Sequence, residues 1–193
     1  RYRVDRGLVC SDTESLVFLT AIRKISAEFK LPEVSKLLGK LLIREEAVVL
    51  FSSFIQPLKL LQNGLGGELL IGQKSIKERE VIVNSFQEGR TNLLLTTYGT
   101  GGLGLTLHRA RHVVLLERPW TSGDVQQAED RCHRLGMDGP LTIHWFKLGF
   151  SDELIDSLVS NKADIIEVFM GPRCLTLKRQ ALPKMASICL QGV

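Results

Sequence analysis

The chain has 193 residues, of which 44% are hydrophobic and 24% charged, and its net charge at neutral pH is +4. At about 150 residues per domain this is one large domain with enough length for a buried core, and the composition excludes wholesale disorder. The apolar runs fall far short of the ~20 residues that span a bilayer, and the cysteines form no CxxC pair, so a membrane span, a disulfide framework and a zinc site are not indicated.

The first part of the chain is predicted to be helical. Apolar residues recur at helical spacing over 11–42, and the Leu-Pro-Glu segment at 31–33 predicts a break between two helices. The pattern then changes to short apolar runs without strict alternation, which is typical of parallel strands buried on both faces. Five strands are predicted, at 47–54, 68–72, 92–97, 112–117 and 141–146.

Helices are predicted between these strands and after them. One covers 56–63, and a second begins at Ser75, where Ser-Ile-Lys-Glu is a capping box, and ends at Gly89. A third covers about 124–135, and an amphipathic helix follows over 151–170. Strands that alternate with helices predict an α/β fold, a three-layer sandwich with a mostly parallel sheet.

Residues 67–75, GELLIGQKS, come close to the phosphate-binding pattern GxxxxGK[ST], with one extra residue before the lysine. Such a loop follows a strand and wraps phosphates with successive backbone amides. Here the residues between the two glycines are themselves a predicted strand, so the segment is interpreted as a strand, a turn and a capped helix. No acidic DExx-type motif follows a later strand, so the magnesium-binding half of a self-sufficient ATP site is also missing.

A glycine-rich segment, GTGGLG at 99–104, satisfies GxGxxG after the third predicted strand. Glu117 lies near the spacing at which a dinucleotide-binding fold places its ribose-binding acid. However, the unit over 92–117 is shorter than the ~30 residues of a βαβ unit. A dinucleotide-binding enzyme and a glycine-rich packing turn therefore both remain open at this point.

The predicted helix over 124–135 places Gln127, Arg131 and Arg134 at i, i+4 and i+7 on one stripe. Two guanidinium groups on one stripe repel each other unless an anion lies between them, and their planar forks match phosphate oxygens. A solvated helix with ion pairs three and four residues apart is the plain alternative.

Taken in order, the segments LFSSF, GQKSIKEREVIVNSFQEG, LLLTTYGTGGLGLT and VVLLERPWTSGDVQQAEDRCHRLG resemble the second RecA-like lobe of the Swi/Snf-type DNA translocases of helicase superfamily two. The segment RPWTSGDVQQAEDRCHR at 118–134 is most similar to the bacterial and annealing-helicase branches of that family. The resemblance covers about 30–170. It implies a RecA-like helicase C-terminal lobe over 1–171, with N-terminal helices and a C-terminal bracing helix, and then a tail of unknown structure over 172–193.

In that family ATP with Mg²⁺ binds between two lobes. The resemblance implies that an N-terminal lobe of the same polypeptide supplies the phosphate loop and the magnesium ligand, while this chain supplies arginine fingers at Arg131 and Arg134. Gln127 would help to order the cleft, and Gly102 and Gly104 would approach the nucleotide. No metal and no tightly bound cofactor is then expected on this chain alone.

The same resemblance implies a track for double-stranded DNA, which the matched family positions assign to Ser52, Ser53, Thr97, Gly101 and Trp120. From sequence alone, Trp120 fits a core position as well as a stacking platform.

The expected function is therefore half of a DNA-dependent ATP hydrolase that is inactive by itself, a part of a longer polypeptide as the initial Arg1 suggests. No membrane partner is expected. The location would be the nucleoid-associated cytoplasm in a bacterium or the nucleus in a eukaryote. A nucleic-acid-binding module that grips phosphates without ATPase coupling is the main alternative, and a Rossmann enzyme is the more distant one.

Overall fold

A computed structural model describes residues 11–103, 107–119, 128–132, 139–149 and 152–153. The chain divides into two compact units, one formed by Arg1–Ala21 with Asp156–Val193 and the other by Ile22–Ile155. The strands and the buried hydrophobic core lie in the second unit. The predicted helix over 151–170, apart from 152–153, and the tail over 172–193 lie outside the described residues.

A five-stranded parallel sheet forms the centre of this second unit, which confirms all five predicted strands. The strands are β1 (Val48–Ser52), β2 (Glu68–Leu70), β3 (Leu93–Thr97), β4 (His112–Leu115) and β5 (Thr142–Trp145). Their order in the sheet is β2-β3-β1-β4-β5, and every pair of neighbours is parallel. The first strand in the chain is thus the central one, with Val48 opposite Leu93 on one side and His112 on the other.

The three α-helices that the structure describes in full begin and end within two residues of the predicted positions, with one exception. They are α1 (Ser11–Ile43), α2 (Ile55–Leu65) and α3 (Ile76–Gln87), followed by a 3₁₀ helix over Tyr98–Leu103 and a helical turn at 128–132. The capping box at the start of α3 is confirmed: the Ser75 hydroxyl accepts from the Glu78 amide, and the Glu78 carboxylate accepts from the Ser75 amide. The Ser75 hydroxyl also donates to the Glu78 carboxylate at 2.6 Å, and this bond together with the one from the Ser75 amide lowers the pKa of Glu78.

The exception is the predicted break at 31–33, which is wrong, because α1 runs without interruption through Pro32. A proline inside a helix removes one backbone hydrogen bond and crowds the carbonyl four residues earlier. The ring of Pro32 lies on the exposed side of α1, while Ala27, Val34 and Leu38 are fully buried on either side of it. Burial of this apolar face offsets the lost hydrogen bond and keeps the helix in one piece.

Both faces of the sheet are covered, and alternate residues of β1 show this. Val48 and Leu50 pack in a cluster with Leu38 of α1, whereas Val49 and Phe51 pack in a second cluster with Phe86 of α3. All five β1 residues are buried, which explains why β1 reads as a continuous apolar run rather than an alternating one. Helices on both faces of a parallel sheet confirm the predicted three-layer α/β sandwich.

The near-match to a phosphate loop is confirmed as a strand and a turn. Residues Glu68–Leu70, between the two glycines, are strand β2, and α3 follows the turn. Gly67 has φ +89°, and a Cβ atom on it would lie 2.7 Å from the Leu93 carbonyl oxygen. This glycine is therefore required where the chain enters β2 beside β3. No helix in the described part of the chain is long and apolar enough to cross a membrane.

Candidate functional site

The carboxyl ends of the parallel strands form the edge at which ligands of open α/β sheets bind. Ser52 ends β1, Thr97 ends β3, and Glu117 follows β4 by two residues. Since β1 lies between β3 and β4, these three residues come from neighbouring strands. The structure thus brings three of the predicted DNA-track positions (Ser52, Ser53 and Thr97) to one edge, together with an acid.

Glu117 is the centre of a buried polar cluster at this edge. It is 2% exposed, and its carboxylate accepts hydrogen bonds from the Ser52 hydroxyl at 3.0 Å and from the Ser53 amide. Burial raises the pKa of Glu117, while the Ser53 amide and the charge of Arg23 oppose this change. A buried carboxylate needs such partners, because an unpaired charge away from water is strongly unfavourable.

Arg23 of α1 supplies the positive charge of the cluster. It is 3% exposed, and its Nη2 atom donates to the Ser53 hydroxyl at 3.0 Å and to the Arg118 carbonyl at 2.6 Å. Its guanidinium also lies over the Phe54 ring, 5.6 Å from the centroid. Burial lowers the pKa of Arg23, and the neighbouring Glu117 opposes that shift. The helix before the sheet is therefore tied to the ends of β1 and β4.

The two serines of the predicted DNA track differ in their environment. Ser52 is fully buried, and its hydroxyl both donates to Glu117 and accepts from the Phe54 amide at 3.0 Å. Ser53 is exposed, although its amide donates to the buried Glu117 and its hydroxyl accepts from the buried Arg23. Ser52 therefore has a supporting position, and Ser53 is the serine that faces solvent.

The glycine-rich segment after β3 is a 3₁₀ helix that includes Gly101 and Gly102. Thr97 shares a hydrogen bond with the Thr100 hydroxyl, which fixes the start of the segment. Tyr98 stacks on Phe51 with ring centroids 5.7 Å apart, and its hydroxyl donates to the Glu117 carbonyl at 2.7 Å. The segment therefore belongs to the same cluster. Gly104 lies outside the described residues.

This arrangement differs from a dinucleotide-binding fold. There a glycine-rich turn opens an α-helix at the pyrophosphate, and the acid after the next strand is available to a ribose. Here a 3₁₀ helix follows β3, and the Glu117 carboxylate is buried and bonded to two serines. The Rossmann alternative is therefore wrong.

Of the predicted arginine stripe, Arg131 lies in the described part of the chain, whereas Gln127, Arg134 and the separate position Trp120 lie outside it. Arg131 is 7% exposed in the helical turn 128–132, where its neighbours Ala128 and Cys132 are buried in the core. Its carbonyl accepts from the Leu107 amide at 2.9 Å. The plain alternative of a solvated helix thus does not describe position 131. Burial raises the pKa of Cys132 to about 12, so this thiol is unreactive.

The amino edge of the sheet has a different arrangement. Arg109 donates from Nη1 to the carbonyls of Phe86 and Thr91, both at 2.9 Å, and from Nη2 to the Asn92 side chain. A cavity of about 290 Å³ lies beside it, lined by Glu45, Glu46, Ala47, His108, Arg109 and Arg111. None of the predicted site residues lines this cavity.

Sequence reasoning missed two residues of the carboxyl-edge cluster. Nothing in the helical pattern over 11–42 distinguishes Arg23 from the other charged residues there. The sequence pattern indicated Glu117 only as a possible ribose ligand. The available signal was an acid, Glu117, directly after the apolar run HVVLL, since a charge in such a place is seldom fully buried without a partner. Arg23 lies beside Lys24 in a helical segment and gives no comparable signal. The partners themselves are 94 positions apart in the sequence, so no local pattern connects them.

The sequence profile described as "Helicase conserved C-terminal domain" matches residues 30–136. This interval covers more than half of the chain. It extends from the second half of α1 through β1, β2, β3 and β4 to the end of the predicted arginine stripe.

Curated proteins with similar sequences come from bacteria and eukaryotes. The chain is 29% identical over 140 residues to "Putative ATP-dependent helicase/translocase YwqA" of Bacillus subtilis, covering 69% of this chain and 15% of that protein. It is 36% identical over 96 residues to human "DNA annealing helicase and endonuclease ZRANB3", covering 49% of this chain and 9% of that protein. The chain therefore spans a small fraction of the length of these relatives.

Two solved structures show the same architecture. The "C-terminal part of Fun30 ATPase domain" aligns with a TM-score of 0.62 and 25% identity, covering 74% of this chain and 48% of that one. The "Sulfolobus solfataricus SWI2/SNF2 ATPase core domain" aligns with a TM-score of 0.52 and 26% identity, covering 70% and 29%. These matches confirm the resemblance to Swi/Snf-type proteins and the RecA-like fold that it implies.

Proposed function

Because the chain belongs to the family of helicase conserved C-terminal domains, we propose that it is the second motor lobe of an ATP-dependent translocase acting on double-stranded DNA. In this proposal a first RecA-like lobe of the same polypeptide binds the phosphates of ATP and holds Mg²⁺, which neutralises phosphate charge. The location follows the host, the nucleoid region in a bacterium or the nucleus in a eukaryote.

The observation that carries the proposal is the position of β2. Strand residues Glu68–Leu70 occupy the interval between Gly67 and Gly72 that a phosphate loop would need for its free amides. In this proposal the phosphate loop and the magnesium ligand of the ATP site therefore come from another lobe.

Arg131 and Arg134 are the chain's proposed contribution to hydrolysis, with Gln127 ordering the cleft and Gly102 and Gly104 approaching the nucleotide. A guanidinium placed against the γ-phosphoryl oxygens stabilises the charge that develops there in the transition state. The burial of Arg131 supports this role, because a side chain already held in place loses little conformational entropy when it meets a phosphate.

The carboxyl edge of the sheet is the proposed DNA track. Small residues such as Ser53, Thr97 and Gly101 let backbone amides and hydroxyls approach phosphates, which fixes the position of a protein on a duplex without reading its sequence. Trp120 is also proposed to contact the DNA. Ser52 contributes through its buried hydroxyl, which supports the turn that presents Ser53.

The first test compares DNA-stimulated ATP hydrolysis by the 193-residue chain alone and by the polypeptide that joins it to its first lobe. We expect no turnover by the chain alone, and we expect Arg131→Ala to lower the rate of the joined protein by about 10³-fold or more. Arg131→Lys, which keeps the charge but loses the planar fork, should recover part of that loss.

Arg90→Ala is the matched control, because this exposed arginine pairs only with Glu88 on the surface and should leave the rate unchanged. Enzyme-like turnover by the isolated chain would contradict the shared site. Full activity of the Arg131→Ala protein would contradict the arginine finger. Salt-sensitive DNA binding by the chain that neither nucleotide nor an added first lobe affects would favour the simple nucleic-acid-binding module instead.

A further inference from the structure

The carboxyl-edge cluster holds an exposed residue by means of buried ones. Ser53 faces solvent, yet its hydroxyl accepts from Arg23 and its amide donates to Glu117, and both of these partners are at most 3% exposed. Ser53 is thus held at its backbone by a buried acid and at its side chain by a buried arginine. The arrangement fixes where Ser53 points.

Arg23 joins this turn to the next strand along the sheet. The same Nη2 atom donates to the Ser53 hydroxyl after β1 and to the Arg118 carbonyl after β4. Glu117, which follows β4, joins the same two strand ends through its hydrogen bonds with Ser52 and Ser53 after β1. The relative placement of the two loops thus depends on one cation and one anion.

A turn held rigidly in this way favours binding to the DNA backbone, in which phosphates recur at regular spacing and each contact is weak. A turn that is already ordered loses less conformational entropy on binding, and its contacts meet the phosphates at a fixed spacing. Arginine suits the position because Nη2 alone reaches both acceptors while the planar guanidinium lies over Phe54, and a lysine ammonium has no planar face to stack on the ring.

We propose that Arg23 is a positioning residue that, with Glu117, holds the Ser53 turn in the conformation that contacts a DNA phosphate. The inference rests on the proposed function, because it needs the carboxyl edge to be a DNA track. Arg23 itself is buried and does not touch the duplex.

The chain offers a matched control at the opposite edge of the sheet. Arg109 donates to two backbone carbonyls, whereas Arg23 donates to one carbonyl and one hydroxyl. Each guanidinium lies over a phenylalanine ring, 5.5 Å from the Phe86 centroid for Arg109 and 5.6 Å from the Phe54 centroid for Arg23. Arg109 is half-buried, whereas Arg23 is 3% exposed, so the two lysine variants are compared in DNA binding and not in stability. If Arg23 were important only for stability, neither variant would lose affinity for DNA under conditions in which both are folded.

The experiment measures binding of the full 193-residue chain to a fluorescein-labelled duplex at fixed salt, together with the thermal unfolding of each variant. At a temperature where all variants are folded, we expect Arg23→Lys to weaken binding about five- to tenfold and Arg109→Lys to change it less than about twofold. We expect Ser53→Ala to weaken binding as well. The double variant Arg23→Lys with Ser53→Ala should bind the duplex no more weakly than the weaker-binding of the two single variants. The reason is that Arg23 affects binding through the position of Ser53.

The outcomes separate the inference from the function on which it rests. Binding that falls equally in the Arg23→Lys and Arg109→Lys proteins, or falls additively in the double variant, would overturn the positioning role and leave the DNA track in place. Unchanged affinity after Ser53→Ala, a substitution at an exposed position that preserves the fold, would also overturn it. A wild-type chain that does not bind duplex DNA even at low salt would contradict the DNA track and, with it, the inference.

Discussion

At the scale of single residues, position 67 shows how tightly the backbone constrains the sequence. Gly67 and its neighbour Gly66 both have positive φ, +89° and +75°, but only a Cβ atom at position 67 would meet another atom. That atom is the carbonyl oxygen of Leu93, the first residue of β3. The two glycines therefore separate the cost of a positive-φ backbone from the cost of a collision with a neighbouring backbone atom.

We predict that Gly67→Ala lowers the free energy of unfolding by about 2–4 kcal/mol, because conformational strain and a collision with backbone act together. Gly66→Ala should cost about 1–3 kcal/mol, less than Gly67→Ala, because only strain acts there: φ +75° with ψ −151° is a conformation that essentially only glycine adopts. Gly64→Ala, in α2 with nothing within 4 Å, should be neutral or stabilising by up to about 1 kcal/mol. Urea denaturation of the three variants measures these differences, and equal values at 66 and 67 would contradict the role of the Leu93 contact.

At the scale of elements, α1 shows where local propensity gives way to packing. Pro32 is a strong local signal for a helix end, yet the buried residues on both sides of it continue the same apolar face. Tertiary contacts of this face outweigh one missing hydrogen bond.

Pro32→Ala is accordingly predicted to stabilise the chain by about 1–2 kcal/mol. Alanine restores the missing hydrogen bond, and the greater freedom of the unfolded chain offsets part of that gain. Thermal unfolding should show a higher melting temperature for this variant than for the wild type. Glu33→Ala, an adjacent exposed change, is the control and should alter the melting temperature little. A lower melting temperature for Pro32→Ala would contradict this explanation, in which packing offsets a hydrogen bond that the proline removes.

The elements that could be predicted from sequence are those that depend on neighbouring residues. Strand β1 is a run of buried apolar residues, and α3 begins with a capping box, so both are visible within a few positions. The candidate site is predictable only in outline, because Arg23 and Glu117 meet through the fold and not through any local pattern. For the same reason the family motifs indicated Ser52 and Ser53 together, whereas the structure gives them a buried and an exposed position.

At the scale of the whole molecule, a buried ion pair joins the first helix to the end of the described chain. Lys30 and Asp152 lie 2.7 Å apart with side chains 3% and 10% exposed. Lys30 also donates to the Leu116 carbonyl at 3.1 Å, and Asp152 accepts from the Leu148 amide. The exposed pair Lys36–Glu33 on the same helix has nearly the same length, 2.6 Å, and so isolates the effect of burial.

We predict that Asp152→Ala destabilises the chain by about 3–5 kcal/mol, because it leaves the Lys30 ammonium buried without its counterion. Glu33→Ala, which breaks the exposed pair, should cost no more than about 0.5 kcal/mol. Chemical denaturation of both variants measures the contrast. The double variant Lys30→Met with Asp152→Leu should recover much of the loss, because it removes both charges at once. Equal effects of breaking the buried and the exposed pair would contradict this account.

The central place of β1 has a consequence for synthesis of the protein. Ribosomes add about 5–20 residues per second, so Val48 emerges seconds before Leu93 and His112, the residues beside it in the finished sheet. Until then the all-apolar VVLF of β1 has no strand to pair with. Early association with a molecular chaperone would protect this segment on the nascent chain, and the order of the strands thus makes translation speed a factor in how much protein reaches the native state.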